Sequence, residues 1–246
     1  MYSWNTVRTL CAILLLLPLV HLIFLVSREM LDLLDSSPEV WSDEIAALDT
    51  IDHLDLLPEQ PVVVVGGRLV KLWPGLEDLL APRDVLVRGL GDATVNDIGH
   101  HYERLVGFYR PQFLVLLPGN SEFHIRDNKS PEELAGAIRD LAKLDLSHGY
   151  TERFYVFVPL KTVLHSGDYD KIDATHSLLA EWAGGNPHVT LLDANPLLAD
   201  SRGEPSPNFF RSDGIHLNEH GFLRLSMLLR EQLQRDESGP LLSQSR

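Results

Sequence analysis

The chain has 246 residues, 44% of them hydrophobic and 23% charged, enough for one buried core and an appendage. Its formal net charge of −14 argues against nucleic acid as a partner, because a phosphate backbone is met by clustered Lys and Arg. The single cysteine, Cys11, excludes an intrachain disulfide framework or a cysteine-based zinc site and identifies no compartment.

From Thr9 to Val26 the sequence TLCAILLLLPLVHLIFLV holds no charged residue. At roughly 18 residues it approaches the ~20 that a helix needs to cross a bilayer core. Pro18 and His21 interrupt the run, though a proline is tolerated where neighbours re-satisfy the backbone. Arg8 resembles the flank of a secretory signal, yet no small-residue cleavage site follows in SREMLDLLD. The expectation is a short flank at 1–8 and one uncleaved transmembrane helix at 9–27. Arg28 is the only basic residue between the span and Arg68, so the slight positive-inside bias puts the globular part outside the cytoplasm. The chain is thus expected to be a single-pass membrane protein, with the membrane as its partner.

Residues 28–59 alternate apolar and acidic positions, and Leu31, Leu33, Leu34, Ile45, Leu48 and Ile51 suggest two short amphipathic helices broken near Ser36–Pro38. These helices form either a stalk or a layer packed on the domain. Nothing in the segment looks catalytic. A domain is expected over 60–236, followed by a flexible polar tail at 237–246.

Within that domain, strand-like and helix-like segments alternate. Strands are predicted at Val62–Val65, Val85–Val87, Phe113–Leu117, Phe154–Val158 and Val189–Leu192, each short, apolar and bounded by turn residues, as strands buried on both faces should be. Helices are predicted over about 94–108, 132–144, 170–183 and 219–235. Ser130 before Pro131, with Glu132 and Glu133 next, is a helix start. Five strands alternating with helices imply a parallel α/β sheet with right-handed crossovers. Functional groups in such sheets gather beyond the carboxyl ends of the strands, which directs attention to GGR, RGLGDAT, PGNSEFH and SDGIHLNEHG.

The late loop is the most specific of these. DGIHLNEHGF places Asp213 three residues before His216, the spacing of an acid that orients a histidine base. Taken in order, the four blocks VVVVGGR, VRGLGDATVNDI, FLVLLPGNSEF and SDGIHLNEHGF resemble those of the SGNH (GDSL-like) hydrolases over residues ~60–235. The resemblance implies a flavodoxin-like three-layer α/β/α sandwich on a five-stranded parallel sheet. It also implies hydrolysis of esters or acyl groups through a serine, with no cofactor and no metal.

Carried over residue by residue, the resemblance puts Asp213 and His216 in the places of orienter and base. The nucleophile position falls on Arg68 and the acid before it on Gly67. The oxyanion glycine falls on Asp92, or on Gly91 with the loop shifted by one. The oxyanion asparagine falls on Ser121, with Asn120 one place early. A guanidinium has five donors and no acceptor, so Arg68 cannot attack a carbonyl. Loss of the serine from a triad costs about a million-fold in turnover, and loss of one oxyanion donor a further ~100–1,000-fold. An Asp92 carboxylate would also repel the developing oxyanion. The chain is therefore expected to be a pseudoenzyme of the esterase type.

Two alternatives stand beside that reading. One is a non-catalytic module that binds an anionic ligand, clamped by Arg68 at a helix start, or an envelope partner. Against the clamp stands an internal salt bridge from Arg68 to Asp92 or Asp213, which would plug the cleft. The other is an atypical esterase with Ser121 as displaced nucleophile; Thr94 and Ser212 are less well placed. HLNEH, His216 to His220, formally matches an inverted zinc-peptidase pattern, but the neighbouring SDG and Gly221 indicate a loop and helix start rather than a helix centre. HSGDYD, from His165, reads as a loop.

Overall fold

The computed structural model describes residues 3–34, 37–52, 57–124 and 128–243. It divides into two units, Met1–Val40 and Trp41–Arg246. The first unit carries helix α1 (Trp4–Leu34), which contains Pro18 and whose described apolar side chains between Ile13 and Val26 are exposed. The expected transmembrane anchor is corrected here: among the described residues, no helix is long and apolar enough to cross a membrane. The uncharged run 9–26 lies within α1 and rises about 27 Å at 1.5 Å per residue, short of a ~30 Å hydrocarbon core, and it is interrupted by Pro18 and His21. The single-pass localisation falls with the anchor.

The second unit is organised by the period of two along its strands. Val63 and Val65 of β1 (Val62–Gly66), Leu114 and Leu116 of β3 (Phe113–Leu117), and Phe154 and Val156 of β4 (Arg153–Phe157) enter one core cluster. Their neighbours Val62, Val64, Phe113, Val115, Leu117, Tyr155 and Phe157 enter another, on the opposite face. Successive side chains point to opposite faces, so strands buried on both must be apolar throughout, as VVVV and FLVLL are. With β2 (Val85–Gly89) and β5 (Val189–Leu192), the sheet runs β2-β1-β3-β4-β5, every pair parallel. This is the expected five-stranded α/β sandwich, with the strand order of a flavodoxin-like doubly wound sheet.

One face is covered by α5 (Val95–His100), α6 (Tyr102–Leu105), α7 (Pro131–His148) and α8 (Tyr169–Gly184). The other is covered by α3 (Arg68–Lys71), α4 (Leu76–Leu80), α9 (Asn195–Leu198) and α10 (Glu219–Ser243). Ser130 caps α7 as read from the sequence: its hydroxyl accepts from Glu133 N while the Glu133 carboxylate accepts from Ser130 N, and Pro131 opens the helix. The helix expected over 94–108 is instead α5, α6 and a 3₁₀ turn at Gly107–Tyr109, parted at His101. α10 continues beyond Arg235, where its apolar pattern ends.

The segment before the sheet is a layer of the domain. α2 (Ser42–Asp52) lays Ile45 and Leu48, with Trp41 just before it, against the first cluster. At its end Asp52 accepts from Arg88 Nη2 at 2.7 Å, from Arg104 Nη2 at 2.6 Å and from the Tyr109 hydroxyl, and Arg104 also pairs with Asp49. Burial pushes the Asp52 carboxyl up, but the hydrogen bonds from Tyr109 and Arg104 and the two guanidinium charges outweigh it and hold it below the usual carboxylate range.

Candidate functional site

The sheet brings the carboxyl ends of β1, β2 and β3 level, with Gly66 in register with Gly89 on one side and Leu117 on the other. The loops that follow make the site. Gly67 turns the chain from β1 into α3, and a Cβ there would lie 2.8 Å from the Ala93 carbonyl oxygen. The position where the family carries an acid therefore has room only for hydrogen. Arg68 is the first residue of α3.

Arg68 reaches across to the loop after β2. Its Nε donates to Asp92 Oδ1 at 2.8 Å and its Nη2 to Oδ2 at 2.5 Å, a two-pronged guanidinium–carboxylate fork. The hydrogen bond to Asp92 raises the Arg68 pKa above its ordinary value, so the guanidinium stays charged. Of the two pairings read from the sequence, Asp92 is the partner and Asp213 is not. The pair is half open to solvent, with the side chains 50% and 40% exposed.

The neighbouring glycine is engaged by α2. Gly91 N donates to Glu44 Oε2 at 3.1 Å, and the same oxygen accepts from Lys71 Nζ at 2.8 Å. The Trp41 ring fills the space beside Gly91, 2.4 Å from where a Cβ would stand. A backbone N–H at one of the two positions that the resemblance offers for the oxyanion hole thus donates to a carboxylate. Arg68 and Lys71 each have a carboxylate of their own, so this corner carries no surplus positive charge.

The late loop differs. Asp213 Oδ1 accepts from the backbone N–H groups of Ile215 and His216 at 2.8 and 2.9 Å, and Oδ2 lies 2.8 Å from His216 Nδ1. Backbone donation from Ile215 and His216, reinforced by the His216 ring, holds the Asp213 carboxyl down at about 2. Gly214, at φ +68°, takes the left-handed turn between them. Glu219 is the first residue of α10 and His216 lies in the loop before it, so His216 and His220 do not share a helical face for zinc.

Arg68, Asp92, Asn120, Ser121 and His216 line one pocket of about 50 Å³, with Leu69, Gly119 and Ile215. That is small beside the ~300–1,000 Å³ of ordinary ligand sites. Asn120 and Ser121 belong to a 3₁₀ turn, Asn120–Phe123, after β3, and Ser121 Oγ stands 3.2 Å from where a Cβ on Gly119 would be. Asp213 adjoins the pocket through His216. Gly91 faces Glu44 instead. Thr94 is turned to its own helix: its amide donates to Asp97 Oδ2 at 2.8 Å. Glu44 and Trp41 were not legible as site residues, because they lie about 25 residues upstream of Arg68 in a segment whose local pattern signals only an amphipathic helix.

No protein-family model and no curated protein matches the chain. Solved structures do. A protein from Streptococcus pneumonia assigned as a platelet activating factor superposes with a TM-score of 0.68 at 17% identity, over 87% of this chain and 99% of that one. A GDSL-like lipase from Bacteroides thetaiotaomicron gives 0.63 at 15% identity, over 82% and 98%. A lipase/acylhydrolase from Enterococcus faecalis gives 0.59 at 15% identity, over 72% and 96%.

Proposed function

Since the chain has the fold of the SGNH (GDSL-like) hydrolases, we propose that it is a non-hydrolytic form of that fold whose role is binding rather than acyl transfer. The observation that carries this reading is the Arg68–Asp92 fork, whose members fall where the resemblance puts the nucleophile and an oxyanion-hole residue. A nucleophile must offer a lone pair, and Arg68 has none. An oxyanion needs unspent donors, whereas the Gly91 N–H is given to Glu44 and Asp92 presents negative charge. Asp213 and His216 persist as an oriented pair without a serine in the usual place to serve. The fork takes two of the five Arg68 N–H donors, so an anionic ligand would meet the remaining donors beside the Asp92 carboxylate.

A second reading rests on Ser121, which lines the same pocket as His216. With Asp213 on Nδ1, the other ring nitrogen of His216 is the one that could take a proton from a displaced nucleophile. The two readings separate in one assay: turnover of acetyl to octanoyl esters by the full chain, His216→Ala and Ser121→Ala. Equal, background rates in all three are expected. Activity in the parent that both substitutions abolish would overturn the non-hydrolytic reading in favour of Ser121.

A further inference from the structure

Apart from the cleft chemistry, the loops beside it assemble a second set of polar side chains. His165 precedes and Asp168 ends a 3₁₀ turn, Ser166–Asp168, between β4 and α8. With three residues per turn, side chains at i and i+3 stand in line, so the HSGD spacing sets an imidazole and a carboxylate on one side. The turn is braced from within. His165 N donates to Thr162 Oγ1 at 3.2 Å, Asp168 N to the His165 carbonyl at 3.1 Å, and the Tyr169 hydroxyl to the Thr162 carbonyl at 2.8 Å.

His124 comes from another part of the chain, at the end of the 3₁₀ turn that holds Asn120 and Ser121. Its ring lies 4.1 Å from that of His165, centroid to centroid, and its Nε2 is 2.7 Å from Asp168 Oδ2. One ligand atom from each of the three residues falls within 4.8 Å of the others. His124 Nε2 and His165 Nδ1 are buried, and neither makes a hydrogen bond among the described residues. The short separation of Nε2 from Asp168 is therefore an approach without hydrogen-bond alignment. Two buried ring nitrogens without an aligned partner are costly in a polar pocket. A cation held at the common point would satisfy both.

We propose that His124, His165 and Asp168 form a binding site for a divalent transition-metal ion of the zinc class. Two imidazoles and one carboxylate suit zinc, and three protein ligands leave a fourth position for water or a ligand. Ligand atoms at ~2.0–2.2 Å from a tetrahedral ion stand ~3.3 Å apart, so Nε2 and Oδ2 part by about 0.6 Å on binding. The ion cross-links the loop of Ser121 to the loop after β4. That second loop also touches the late loop, where Leu164 N donates to the Gly214 carbonyl at 3.1 Å. The site is thus at the rim of the cleft and independent of whether the cleft turns over esters.

The test uses Co²⁺ as a spectroscopic stand-in for Zn²⁺, titrated into the full chain. One Co²⁺ per chain, with the intense visible bands of a low-coordinate site that Zn²⁺ bleaches, is expected. His165→Ala and Asp168→Asn should each weaken binding beyond the ~10–100-fold that loss of an outer-shell partner costs, whereas His220→Ala leaves it unchanged. Asp168→Asn is close in shape and guards against a misfolded alanine variant; the metal-free melting temperature of each variant is measured alongside. Absence of bands at millimolar Co²⁺, bands that survive both substitutions, or bands lost only in His220→Ala would overturn the site.

Discussion

The two sides of the cleft have fared differently. On the late-loop side, Asp213 and His216 hold the geometry of an orienter and a base, built from consecutive residues and their own backbone donors. On the strand-end side, Arg68, Asp92, Gly91, Glu44 and Lys71 are joined by ion pairs and hydrogen bonds drawn from α2, α3 and the loop after β2. A pair folded from one turn of chain needs no distant partner, since its contacts are local. The opposite side requires long-range partners, and here those partners occupy one another.

The comparison can be broken most forcefully through α2. Asp52 is 5% exposed beneath Arg88 and Arg104, so Asp52→Ala leaves two guanidinium groups facing a vacancy. A loss of about 3–5 kcal/mol in urea unfolding is expected, as for removal of one partner from a buried ion pair. A loss below about 1 kcal/mol would mean that α2 does not hold the strand-end side in place. The same carboxyl titrates below its usual range in the folded chain. Its stabilisation is therefore present above the ordinary carboxylate pKa and lost as pH falls further.

A smaller effect is expected at the fork itself. Arg68→Ser removes a pair whose members are 50% and 40% exposed, so stability should change by only about 0–1 kcal/mol. The substitution supplies a hydroxyl at the family's position, yet ester hydrolysis should stay at background because Glu44 keeps the Gly91 N–H. His216-dependent turnover in Arg68→Ser would show that the strand-end side is closed by Arg68 alone.

The smallest effect sharpens the contrast from the other side. Asp213 should titrate with a midpoint near 2 by carboxyl NMR, against an ordinary 3.8. A depressed carboxyl stabilises the loop above the unfolded value and ceases to do so as pH falls through about 2. A midpoint at the ordinary value would indicate that the Ile215 and His216 amides are not engaged in solution.

Much of this molecule can be read from local pattern. Five apolar runs with turn residues at their ends and the helix start at Ser130 are each determined over a few residues, and each forms as expected; the contact between Asp213 and His216 is equally local. The fold follows, because strands buried on both faces and joined by helices have few ways to pack. The length of α1's apolar stretch misled, as an uncharged run in sequence does not by itself measure a span.

What only the tertiary structure decided lies in contacts between distant segments. Periodicity marks Ile45 and Leu48 as one face of a helix without naming what that face covers, so α2 remained stalk or layer until its core contacts were seen. Nothing in EIAALDTID says that Glu44 meets Gly91, and nothing in GGR chooses Asp92 over Asp213. The pairing of His124 with His165 and Asp168 depends in the same way on how two loops leave adjacent strands. Sequence by itself determined the elements and the turn of chain that orients His216, since those rest on near-neighbour sterics and hydrogen bonds. Which side chains neutralise one another at the strand ends was decided by how α2, α3 and the loop after β2 pack together across tens of residues, information that no local spacing contains.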